Sequence, residues 1–187
     1  MSIATIENIE ITESEFISAY LEFTSHHQEI EKDKAKFIVL NQLVNAKILL
    51  IQAEKEGVTV DSEEVTNEFA NLILKFKNDL ERFNAMKRDF DLTDKMLKER
   101  IKNNLLIDKY LERVKANFYS QLSDEAVKGF YEENKEKFVY EGEERSFDDL
   151  KDILKEELSR AEFDQYLDTY IQNLAKTMKI DVDKEWY

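Results

Sequence analysis

The sequence has no cysteine and no proline, and only three glycines and two histidines in 187 residues. Without cysteine there are no disulfides, no thiol catalysis and no cysteine-type zinc sites. Without proline, and with so little glycine, the chain lacks the punctuation of a turn-rich β protein. No uninterrupted apolar run approaches the ~18 residues that a membrane span needs. Positive charge is in the minority: 27 Lys and Arg stand against 41 Asp and Glu, a net charge of −14. Such a surface repels phosphate, so nucleic acid and anionic lipid are not expected as partners, and without a span no membrane insertion is expected; basic or unfolded cationic chains would be attracted. The opening residues MSIATIENIE show no basic region followed by an apolar run, so no signal peptide is expected there. There is no Gly-rich phosphate loop and no G-x-S-x-G.

What is present is charge and helical periodicity. Charged residues make up 36% and hydrophobic residues 42%, enough apolar content to exclude simple disorder. The stretch from Phe37 to Gly57 carries apolar residues on most of a helix circumference, with Phe37, Leu40, Val44, Ile48 and Ile51 on one side and Leu43, Ala46, Leu50 and Ala53 on another. A helix of that kind is normally enclosed by neighbours. Asn41, Gln42, Asn45, Lys47 and Gln52 interrupt it, so it reads as the central helix of a soluble helical domain. Gly57 suits a left-handed C-terminal cap.

Around it the local signals fall in order. Ile3 to Ile11 reads as a short strand. Thr12 with Glu15 and Asp61 with Glu64 read as capping boxes. The helix after Asp61 places Val65, Phe69, Leu72, Ile73, Phe76 and Leu80 on one face. Thr93 caps a long helix to about Phe118, and Ser123 starts a shorter one with Val127, Phe130 and Tyr131 inward. Phe138 to Tyr140 is extended, Glu141 to Glu143 is a turn, and Ser146 with Asp149 opens a last helix reaching to about Lys179. Ile180 to Val182 is a short strand suited to pair with the N-terminal one.

Three segments in this order, LNQLVNAKILLIQAEKEGVTVDSEEV, ERIKNNLLIDKYLE and VKGFYEENKEKF, resemble the chaperone module of SurA- and PrsA-type peptidyl-prolyl isomerases. The resemblance implies a mainly α, multi-helix SurA N-terminal-like fold whose long C-terminal helix packs back on the N-terminal segments. It implies one module over 1–187: an N-terminal helical part at 1–138, a link at 139–145 where the family carries a parvulin domain, and a completing helix at 146–187. Here the link is too short for a parvulin domain, so a chaperone module alone is implied. Glu7-Asn8 stands where the family often has Asn-Gly in an N-terminal hairpin. The family also implies an extracytoplasmic location, although the chain shows no signal peptide.

Little in the residues supports catalysis. A parvulin needs His with Cys or Asp around a proline pocket, and His26 and His27 lie outside any such context. Glu22 and His26 share a helix face without further ligands, and the acidic clusters at 61–64, 132–133, 141–144 and 181–185 lack the register of a calcium loop. No enzyme activity, metal or cofactor is expected. What remains is apolar binding surface. Phe69, Ile73, Phe76, Phe83, Met86 and Phe90 form an aromatic and methionine series, the type of surface that accepts many sequences. Each taken alone reads first as ordinary core. Phe138, Tyr140, Tyr166, Tyr170, Trp186 and Tyr187 form a second set. The reading is an ATP-independent holdase that binds unfolded or extended polypeptides in an apolar cleft. The alternative is a dedicated interaction module for one folded partner, or a homodimer.

Overall fold

The chain opens with a β-hairpin, β1 (Ser2–Ile6) and β2 (Ile9–Thr12), paired through Ala4 with Ile11 and Ile6 with Ile9. These are seen in a computed structural model that describes residues 1–90, 92–140 and 143–186, with Tyr140, Glu143 and Glu144 described in backbone only. The hairpin turn is Glu7-Asn8, and Glu7 takes a left-handed φ of +54°, a conformation that glycine adopts at less cost. Glu7 has a second task. Its N–H donates to the Lys179 carbonyl at 2.8 Å, and its carboxylate accepts the Lys179 N–H at 3.0 Å. That clamp leads into β5 (Ile180–Val182), which pairs antiparallel with the free edge of β1. The sheet order is β2-β1-β5, so the first strand is the central one. Ile3, Ile6 and Ile11 are fully buried beneath it.

Thr12 caps α1 (Glu13–His26), its hydroxyl accepting the Glu15 N–H at 3.2 Å. The return half of the expected capping box does not form. The Glu15 carboxylate instead takes the Lys47 ammonium at 2.8 Å across to α2 (Lys32–Lys55). A half-buried ion pair between helices has displaced a local cap.

Helix α2 packs against α1 and both hairpin strands. Ala35, Val39, Leu40, Ile48 to Ile51 and Ala53 are buried. Its enclosure is incomplete, which corrects the expectation drawn from its apolar circumference: Phe37 is 54% exposed. By length and composition alone α2 would pass for a membrane span. Its packing and the Lys47 ion pair identify it as a core helix of this unit. Gly57 ends it with φ +69°, and the Val58 N–H closes onto the Ala53 carbonyl at 2.9 Å.

Asp61 caps α3 (Ser62–Lys75), with the Glu64 carboxylate accepting the Asp61 N–H at 2.8 Å. The helix was expected to run on through Leu80. It stops at Lys75, because Lys77 and Asn78 both adopt left-handed φ, +56° and +59°. Asp79 then caps a separate helix, α4 (Leu80–Asp89), by accepting the Arg82 N–H at 2.9 Å. Thr93 caps α5 (Asp94–Gln121), accepting the Met96 N–H at 3.1 Å. Tyr110 is buried on α5, and its hydroxyl donates to Glu56 at 2.8 Å.

Residues 1–110 and 173–187 form one compact unit, and 111–172 form a second. The second holds the end of α5, then α6 (Asp124–Glu133), a 3-10 turn, the two-residue strands β3 (Val139–Tyr140) and β4 (Glu143–Glu144), and most of α7 (Phe147–Ala175). The expected turn at Glu141 and Gly142 lies outside the described residues. Val127, Tyr131, Leu150, Leu154 and Leu158 make its core, and the Tyr131 hydroxyl donates to the Arg145 carbonyl at 2.7 Å. Ser146 accepts the Asp149 N–H to start α7. The helix ends at Ala175 rather than Lys179, about 44 Å long at ~1.5 Å per residue. No parvulin domain separates α6 from α7.

One electrostatic contact is testable. Lys109 on α5 donates to the Glu64 carboxylate at 2.7 Å and to the Thr59 carbonyl at 3.3 Å. The hydrogen bond from Lys109, and next the Asp61 N–H, hold the Glu64 carboxyl below its ordinary value. A depressed carboxyl contributes stability above its unfolded value and loses it as pH falls through the folded value. Glu64→Gln is therefore expected to lower thermal stability near neutral pH, where that contribution is fully present, and to approach the parent chain in acid, so that its acid limb is flatter. Melting curves across the acid range check this; an acid limb identical to that of the parent chain would refute it.

Candidate functional site

The apolar face of α3 is the least satisfied feature of the first unit. Val65, Phe69, Leu72 and Ile73 recur at helical spacing, yet no residue of α3 is buried. An amphipathic helix ordinarily hides that face completely. Here α4, turned back by Lys77 and Asn78, covers only part of it. Phe83 of α4 is the floor, 2% exposed. Phe69 meets its ring edge-on at 6.1 Å and 75°, and Phe76 at 5.4 Å and 69°, the geometry that aromatic quadrupoles favour. Phe69, Ile73, Phe76 and Met86 are half-buried.

Phe90 ends the series at 43% exposure, and three residues outside the candidate set are exposed as well: Leu74 (56%), Leu80 (56%) and Met96 (41%). Of the ten large hydrophobics exposed among the described residues, these four fall within one 23-residue span, 74–96. They run from the end of α3 to the first turn of α5. No sequence signal separated Leu74 and Leu80 from core leucines, because exposure depends on where α4 begins. Lys98 lies 5.0 Å from the Phe69 ring centre and Lys87 4.9 Å from that of Phe83. Lys87 is also anchored to Asp94 at 2.6 Å. Cations over aromatic faces are worth roughly 0.5–1 kcal/mol at exposed sites, so this cover is weak and displaceable.

The second set divides. Tyr166 and Tyr170 lie on α7 in the second unit, where Tyr166 stacks on Phe118 at 4.5 Å and on Tyr170 at 6.0 Å. Phe138 stacks on Tyr131 at 5.7 Å in the same unit. Trp186 belongs to the first unit and packs edge-on against Phe16 at 4.8 Å. The side chain of Tyr140 and all of Tyr187 lie outside the described residues. Each unit thus has its own aromatic cluster.

Other concavities are shallow or polar. One of about 620 Å³ is lined by Phe37, Trp186 and the carboxylates of Glu13, Asp33 and Glu185. Another, about 240 Å³ among α1, α2 and α5, includes the Glu15–Lys47 pair. His26 sits at the last turn of α1, its Nδ1 3.0 Å from the Glu22 carbonyl, and the His27 ring lies 4.6 Å from that of Phe23. Among the described residues, no three His, Asp or Glu side chains are grouped to hold a metal ion. The Ser25 hydroxyl lies 2.9 Å from the His26 Nδ1, an exposed contact between adjacent residues, and what the α3–α4 surface offers is apolar contact.

Comparison with known proteins places this geometry. Residues 1–111 match the SurA-like N-terminal domain family. The chain is 34% identical over 106 residues to the foldase protein PrsA of Caldanaerobacter subterraneus, and 26% identical over 102 residues to that of Clostridium perfringens. These matches cover 57% and 54% of this chain but only 28% and 29% of those relatives. The chain thus spans under a third of the length of the curated relatives it matches. It also superimposes end to end on a solved structure of the SurA-like chaperones PEB4 and Cj1289 of Campylobacter jejuni. The match covers 98% of this chain and 99% of that one, with TM-score 0.56 and 13% identity. The likeness establishes a shared fold.

Proposed function

Since this chain belongs to the SurA-like N-terminal domain family, we propose that it is an ATP-independent holdase for unfolded or partly folded polypeptides, working as one module over residues 1–187. The observation that carries the reading is the α3–α4 surface, an amphipathic face left half-covered and continued by exposed Leu74, Leu80, Phe90 and Met96. Burying one such side chain is worth roughly 1.5–3 kcal/mol. Association itself costs about 4–15 kcal/mol. A client engaging several of these anchors would therefore bind weakly and exchange quickly, as a holdase requires. Met86 and Met96 suit a surface that meets many sequences, because thioethers adapt their shape to the partner. The charge of −14 keeps a protein with exposed apolar side chains, and its complexes, from associating with one another.

The PrsA relatives are named foldases, and one of the Campylobacter pair is titled a periplasmic protein. We place this protein outside the cytoplasm on that basis and give it a non-catalytic role. Its link from Val139 to Arg145 holds no isomerase. Proline-peptide isomerisation is accordingly expected to stay at the uncatalysed rate.

The test is aggregation of an unrelated denatured protein, followed by light scattering. Suppression at near-stoichiometric ratio is expected, together with binding to varied unfolded peptides. Absence of both would end the reading, and capture of one stoichiometric folded partner, or a stable homodimer without client binding, would point to a dedicated interaction module instead.

A further inference from the structure

We infer that the α3–α4 surface selects client segments whose apolar residues are flanked by carboxylates, the opposite of the basic clients that the charge of the whole chain favours. This rests on the holdase reading and names the class of client for its surface. Residues 74–102 carry nine Lys and Arg against six Asp and Glu, a local +3, while the rest of the chain carries −17. A closed set of contacts brings part of that positive charge onto the aromatic rings. Phe69 lies against Phe83, Lys87 stands 4.9 Å from the Phe83 ring centre, and Lys87 holds Asp94 at 2.6 Å. One helical turn on from Asp94, Lys98 stands 5.0 Å from the Phe69 ring centre. Asp94 is thus engaged by Lys87, and neither Lys95 nor Lys98 has a carboxylate partner among the described residues. Lys95 sits in the first turn of α5, where a cation opposes the helix dipole, so its place there does nothing for the fold.

Docking turns these unpaired cations into selection. An apolar side chain that covers Phe69 also strips water from the Lys98 ammonium, whether that ammonium stays over the ring or swings to the edge of the docked segment. Desolvating a charge that has no partner is costly. A carboxylate beside the apolar residue of the client supplies the partner through a charge-assisted hydrogen bond. A client Lys or Arg in the same place adds repulsion between like charges. At physiological salt the screening length is about 8 Å, so the local cations, and not the −17 carried elsewhere, set the sign of charge that a docked segment meets.

Three fluorescein-labelled unstructured peptides test this, sharing one apolar core of Phe, Leu and Met and differing only in flanks of Asp, Ser or Lys. Anisotropy with the full chain is expected to rank the Asp-flanked peptide tightest and the Lys-flanked one weakest, about tenfold apart at low salt. The gap is expected to close as salt is raised. Lys95→Glu together with Lys98→Glu is expected to reverse the order. The melting temperature should change little, since both side chains are exposed and glutamate suits the start of a helix. Lys32→Glu together with Lys34→Glu on α2 makes the same change in net charge and is expected to leave the order as it is. If the parent chain binds the Lys-flanked peptide as tightly as the Asp-flanked one, or more tightly, charge selection at this surface is overturned while the holdase reading stands. The same holds if the two double variants respond alike. If none of the three peptides binds the parent chain, the reading and the selection fall together.

Discussion

Replacing Leu74, Phe90 and Met96 together by serine is expected to abolish aggregation suppression and leave the fold intact. The three side chains are 56%, 43% and 41% exposed, so each change should cost the folded state no more than about 0.5 kcal/mol. Their value to a client is larger. Each buried anchor contributes roughly 1.5–3 kcal/mol, and the loss of three amounts to more than about a hundredfold in affinity even if the terms add poorly. Peptide anisotropy and light scattering measure the loss, and circular dichroism melting measures the fold. Full suppression by the triple variant would remove the α3–α4 surface from the mechanism. Phe83→Ala does not make the same test. Phe83 is 2% exposed beneath Phe69 and Phe76, and its removal should cost about 3–5 kcal/mol by opening a cavity, so binding and folding would fail together.

Ending the chain after Lys176 is expected to unfold most of the first unit. The lost residues include Met178, which is 8% exposed, and Trp186, packed on Phe16. They also include β5 and the two hydrogen bonds that tie Glu7 to Lys179. Burial of one methionine is worth roughly 1.5–3 kcal/mol, and an aromatic pair adds about 0.5–1.5. The β1 edge would be left with unpaired amides as well. These two terms alone come to roughly 2–4.5 kcal/mol, a large share of the ~5–15 kcal/mol that holds a domain together. Urea unfolding and amide exchange across β1 measure it. A truncated chain with the parent midpoint and protected β1 amides would show that the N-terminal hairpin stands without its C-terminal partner.

Much of the fold was legible because its signals are local. Thr12, Asp61, Thr93, Ser123 and Ser146 begin helices α1, α3, α5, α6 and α7, and each acts on an amide only three residues away. Gly57 ends α2 because a left-handed residue is needed at that one position. The β-branched run read as one strand from Ile3 to Ile11, which the left-handed Glu7 splits into two; the hairpin was implied by the SurA-type resemblance, and the pairing with Ile180–Val182 was expected. The site was legible in part. Phe69 and Phe76 meet Phe83, but nothing in the spacing told Phe83, which is buried, from Phe90, which is exposed. Leu80 read only as the end of the apolar face that begins after Asp61, and Leu74 gave no signal at all.

The sequence alone determined the mainly α class, the helix starts and the acidic surface, because caps, periodicity and charge act within a few residues or need no structure. Tertiary structure decided which apolar side chains stay in water. Glu15 left its cap for Lys47, 32 positions away, and Glu7 holds Lys179 across 172 positions. Two left-handed residues at 77 and 78 turned one expected helix into two. Exposure is set by what lies opposite a residue in space, and no short-range pattern encodes a neighbour that the chain reaches only after folding.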